Sequence, residues 1–129
     1  MKRILLLISL AILVSCSSTF AQEVFAEVEQ MPEYPGGQEK LLEYLGKLKK
    51  PKKLEKDFTL YVRFLVDTTG EVQEVIIANE SETDDEALKQ SVVQHVRKMK
   101  RWEPGRQKGK PVIVQYVVPY KFQAEAGKE

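Results

Sequence analysis

The chain holds one histidine and one cysteine, and these two residues bound most of its chemistry. His95 stands beside Leu88, Val92 and Val96, an apolar stripe at helical spacing. No second His or Cys lies at metal-ligand spacing from it, so no zinc site is expected. Cys16 closes Leu13-Val14-Ser15-Cys16, a lipobox-like run in which the cysteine would carry a lipid. Without a second cysteine the chain cannot close a disulfide on itself. Ser81 and Ser91 lie outside any G-x-S-x-G elbow. Gly36-Gly37 precedes a helix, but no phosphate-loop pattern completes it, and a turn is the plainer account. Asp84, Asp85 and Glu86 form a carboxylate cluster that helix-dipole complementation explains without catalysis. The expectation is a non-enzyme with no cofactor and no metal.

The start of the chain has a different chemistry, that of export. Lys2 and Arg3 are followed by the apolar run Ile4 to Val14. As a helix this run spans only about 16 Å, against a hydrocarbon core of about 30 Å. That suits a removable secretory signal better than a permanent anchor. Cleavage after Ala21 and lipidation at Cys16 both remain open. In the second case each buried methylene adds about 0.8 kcal/mol of membrane attachment, so the membrane is reached only through a lipid. The expected location is the periplasm.

Residues 22–37 read as a lead-in, either a short strand or extended, closing in a Pro/Gly-rich loop. Residues 38–123 form the domain, and 124–129 a polar tail. About 108 residues after the signal suffice for one core. The whole chain has 20 basic and 19 acidic residues, and loss of Lys2 and Arg3 leaves it nearly neutral. That balance argues against nucleic acid as a partner.

Within the domain, Leu41, Leu45 and Leu48 predict a helix over residues 38–48, ended by Pro51. The lysines around its end read as a solvated terminus. Phe58 to Asp67 alternates as a strand. Asp67-Thr68-Thr69-Gly70 turns it into a second strand over 71–78. A second helix is expected over 81–101, with Thr83 and Glu86 as a capping box. After a polar loop to Lys110, residues 111–122 form the last strand, where Pro119 belongs on an edge.

This order gives an α+β two-layer sandwich. A three-stranded antiparallel sheet, centred on residues 58–67, carries both helices on one face. The outer side of the last strand is left unpaired, able to template an extended peptide or a second copy of the chain.

With these elements placed, the sequence resembles the C-terminal domain of the TonB family, in the form common among Bacteroidetes. The resemblance rests on VEQMPEYPGG (Val28 to Gly37), VRFLVDTTGEVQEVII (Val62 to Ile77), MKRWEPG (Met99 to Gly105) and GKPVIVQYVVPYKF (Gly109 to Phe122). It implies a role in TonB-dependent transport across the outer membrane. It also implies capture of an extended segment of an envelope or outer-membrane protein by strand addition. Carried over by position, Val112, Ile113, Val114, Gln115, Tyr116 and Val117 would bind the guest strand. Lys50-Pro51 and Lys56-Asp57 depart from the Tyr-Pro and glycine of many relatives. The family's energy transducers have a retained transmembrane helix and a long proline-rich spacer. Here Gln22 to Pro35 reaches at most about 50 Å. A binding module is therefore expected, with a structural envelope protein, lipid-anchored or dimeric through the last strand, as the alternative.

Overall fold

The computed structural model describes residues 23–51 and 53–124. The expected signal and Cys16 lie outside the described residues. The elements run in order: β1 (Val24–Phe25), α1 (Gln38–Gly46), β2 (Phe58–Val66), β3 (Val72–Ile77), α2 (Glu86–Arg97), β4 (Gly105–Gln107) and β5 (Lys110–Phe122).

Strand alternation builds the core. Along β2, Leu60, Val62, Phe64 and Val66 are completely buried, and β5 turns Val114, Val118, Tyr120 and Phe122 to the same side. The helices cover that face with Leu41, Leu45, Leu88, Val92 and Val96. Each large apolar side chain in this layer contributes about 2–3 kcal/mol of burial. The opposite sheet face leaves Tyr61, Ile76 and Val117 nearly half exposed.

The sheet differs from the expected one. It is mixed and five-stranded, in the order β1-β5-β2-β3, with β4 pairing β5 off this path. β2 and β5 form a long antiparallel ladder from Phe58↔Phe122 to Val66↔Val114, and β2 and β3 are antiparallel as expected. Two short strands make the difference. β4 arises because Lys108 and Gly109 adopt positive φ (51° and 76°). That conformation folds Gln107 back opposite Lys110 in a two-residue turn. β1 adds in parallel, Val24 opposite Ile113 and Phe25 opposite Val114. The outer side of β5 is thus partly covered rather than wholly unpaired. Strands of two and three residues are too short to show an alternation, which is why the pattern of the sequence did not resolve them.

The second helix is also shorter than expected. A 3-10 turn over Glu80–Glu82 and an extended Thr83 precede it. Its cap is Asp85, whose carboxylate accepts from Leu88 N at 3.0 Å. Thr83 Oγ1 accepts from Asp85 N instead. Thr83 and Glu86 therefore do not form the capping box. The two residues after a Ser/Thr cap must already be helical, and here the helix starts at Glu86.

Candidate functional site

The last strand is the feature with functional promise, and backbone direction decides what it offers. In a strand, the N–H and C=O of one residue point to the same side, and the side alternates. Tyr61 settles the phase. Its C=O accepts from Ala78 N (2.8 Å), and its N–H donates to Asn79 Oδ1 (2.9 Å). Tyr61 therefore faces β3, away from β5. Its register partner is Pro119, so Pro119 turns its backbone outward, where its missing N–H costs no ladder bond.

Alternation then sorts the six positions expected to hold a guest. Val112, Val114 and Tyr116 direct their backbone groups inward. Val112 lies opposite Gly105, Val114 opposite Val66 and Tyr116 opposite Phe64. Ile113, Gln115 and Val117 direct theirs outward. Ile113 already has Val24 as its neighbour. Among the described residues, no strand pairs with the outer side of β5 beyond Val114. Phe25, opposite the inward Val114, occupies the Gln115 N–H, so the open length runs from the Gln115 carbonyl to Phe122.

Side chains along this length differ by face. Val117 is 46% exposed on the outer face. Tyr116 is half-buried on the helix face. Its ring lies 5.0 Å from that of Trp102 and 5.8 Å from that of Phe64. Trp102 itself is 2% exposed and edge-on to Tyr34. The aromatic cluster thus fixes β5 at Tyr116, next to the outward-facing Gln115 and Val117.

Titratable groups near β5 are structural. Tyr44 Oη donates to the His95 carbonyl at 2.6 Å, and its ring stacks on the imidazole at 4.2 Å. His95 Nδ1 and Tyr120 Oη share a hydrogen bond of 2.8 Å. Burial, and then the nearby Lys98 charge, holds His95 below its ordinary value. Burial, and then Tyr44, pushes the Tyr120 hydroxyl up. His95 is thus neutral near pH 7, a tie between α1, α2 and β5. Among the described residues, no three His, Cys, Asp or Glu side chains are grouped to hold a metal. No helix among them is long and apolar enough to cross a membrane.

The lead-in is the part of the site that sequence reasoning left open. Gln30 and Glu33 form bridges with Arg106 and Glu103, which hold it against the segment entering β4. Val24 and Phe25, two strand-forming residues between glutamates, were its signal in the sequence.

Comparison with known proteins finds one family model, described as "Gram-negative bacterial TonB protein C-terminal", matching residues 51–124. No curated protein and no solved structure matches the chain.

Proposed function

The chain belongs to the TonB C-terminal family, and on that premise we propose that it is an exported module that captures an extended segment of an outer-membrane or other envelope protein. The family is non-enzymatic, and membership links the chain to TonB-dependent transport. Capture proceeds by strand addition on the outer edge of β5. One observation carries this reading: the outward backbone groups of β5 from the Gln115 carbonyl through Val117 have no partner strand among the described residues. An edge of this kind gives affinity through main-chain hydrogen bonds, and the side chains beside it select the guest. The export signal read at residues 1–21 would deliver the module to the compartment where such segments are displayed.

The test is an NMR titration with synthetic peptides covering the periplasmic N-terminal segments of outer-membrane transporters. Shifts centred on Gln115 and Val117 are expected. No binding by any such segment, or shifts confined to the helices, would contradict the reading. A concentration-dependent dimer closing on the same amides would instead favour a second copy as the occupant.

A further inference from the structure

The chain already carries an extended segment on this edge. β1 lies parallel to β5 at Ile113 and Val114, on the opposite side from β2. Its attachments are uneven. Downstream the lead-in is firmly held. Gln30 and Arg106 exchange backbone hydrogen bonds of 3.1 and 2.8 Å, and Glu33 and Glu103 exchange bonds of 3.0 and 2.8 Å. Tyr34, just beyond, is 6% exposed. Glu29 ties the segment to the hairpin tip, donating from its N–H to Gln107 Oε1 and accepting from Lys108 N. Upstream, the two residues of β1 are loosely held. Val24 is 46% exposed, and Phe25 is half-buried outside the hydrophobic core. A bend at Ala26 and Glu27 separates the two regions.

Val24 and Phe25 can therefore leave the sheet while the anchor from Glu29 to Tyr34 stays in place. Departure uncovers Ile113 and the Gln115 N–H, and extends the open run of outward groups to Ile113, Gln115 and Val117. It costs few contacts, as expected of a segment drawn from the low-stability end of a fold.

Resting on the strand-addition reading above, we infer that β1 is an internal placeholder for the guest, which it must yield to before a partner can pair along the whole edge. The placeholder also describes the guest. It pairs in parallel and presents a β-branched and an aromatic residue between carboxylates, Glu23-Val24-Phe25-Ala26-Glu27. Exposed Lys110 and Lys121 lie at the two ends of β5 and complement such a segment. A competitor held at high effective concentration lowers the apparent affinity for an outside ligand by the fraction of time it occupies the site.

The experiment uses the full chain with Cys16→Ser, so that no third thiol interferes, and a synthetic peptide with the sequence of residues 22–28 as the probe. One variant adds Phe25→Pro. Parallel pairing with an outward Ile113 uses the backbone of the residues flanking Val24, so proline at 25 removes a ladder N–H and releases β1. A second variant carries Val24→Cys with Ile113→Cys, oxidised to fix β1 in place. The expected result is peptide binding at least about fivefold tighter in the released variant than in the unmodified edge. Binding should be at least about tenfold weaker in the oxidised one and restored by reduction. Equal binding by all three proteins, or binding by none, overturns the placeholder. The transporter peptides, run in parallel, separate this inference from the function. If the chain's own segment follows the expected order while no transporter segment binds, the placeholder stands and the proposed partner falls. If a transporter segment binds all three proteins equally, the partner stands and the placeholder falls.

Discussion

Gly70 and Trp102 are locked together through their backbones. Trp102 N donates to the Gly70 carbonyl at 2.8 Å, and a Cβ on Gly70 would fall 1.8 Å from the Trp102 carbonyl oxygen. Gly70 also has φ of 88°. The contact joins the β2–β3 turn to the segment entering β4, and so sets where β5 begins. Gly70→Ala must strain the turn and push apart two backbones. A loss of about 3 kcal/mol or more is expected in denaturant unfolding. Gly109 has φ of 76° with open space around it, so Gly109→Ala should cost only about 1 kcal/mol.

Asp67 organises the same turn. Its Oδ1 accepts from Thr69 N, Thr69 Oγ1 and Glu71 N at 2.9, 2.6 and 2.9 Å. Partial burial opposes the charge, but these bonds and one from Gln73 outweigh it and hold the carboxyl below its ordinary value. A depressed carboxylate stabilises the fold above its unfolded pKa, and the contribution fades as pH falls through the folded one. Asp67→Ala should cost about 1 kcal/mol near neutral pH, a modest figure because the site is open to solvent. The gap to wild type should close in acid. Urea midpoints measured from pH 7 down to pH 2.5 would check this.

Trp102 is buried among Tyr34, Phe64 and Tyr116, and its Nε1 has no hydrogen-bond partner among the described residues. Burying an unpaired donor costs about 1–3 kcal/mol. Trp102→Phe removes that penalty while losing part of the packing, so a net cost below about 2 kcal/mol is expected. Trp102→Ala leaves a cavity and should cost about 3–5 kcal/mol. Thermal unfolding of the two variants separates the effects.

His95 gives the fold a second pH dependence. Its folded pKa lies below the ordinary 6.5, so the unfolded chain takes up the proton first. Stability should be full above about pH 6.5 and decline as pH falls through the window below it. The drop in Tm between pH 7.5 and 5.5 should be smaller in His95→Gln than in wild type. An equal drop in both proteins would place the dependence elsewhere.

The long elements were legible because their residues repeat a period many times. Four completely buried positions on β2 and the matching side of β5 are readable as alternation alone. The Leu41-Leu45 stripe gives α1 in the same way. What the sequence hid depends on tertiary contact. Val24 and Phe25 become a strand only because Ile113 and Val114 lie beside them. The cap passed from Thr83 to Asp85 because the chain leaving β3 takes a 3-10 turn first. The guest positions were named as a continuous run, Val112 to Val117. Only the phase set by Tyr61 and Asn79 separates the outward residues from the inward ones.

Strand addition on the β5 edge is tested most directly by amide hydrogen exchange at Val117. Its N–H points outward with no partner strand, so it should exchange quickly in the free chain. With a saturating transporter-derived peptide, exchange at Val117 should slow at least about tenfold, and most of the affinity should be lost in Val117→Pro, which has no N–H to offer the guest. Bound peptide with unchanged exchange at Val117, or full affinity in Val117→Pro, would contradict the assignment of the β5 edge as the capture site.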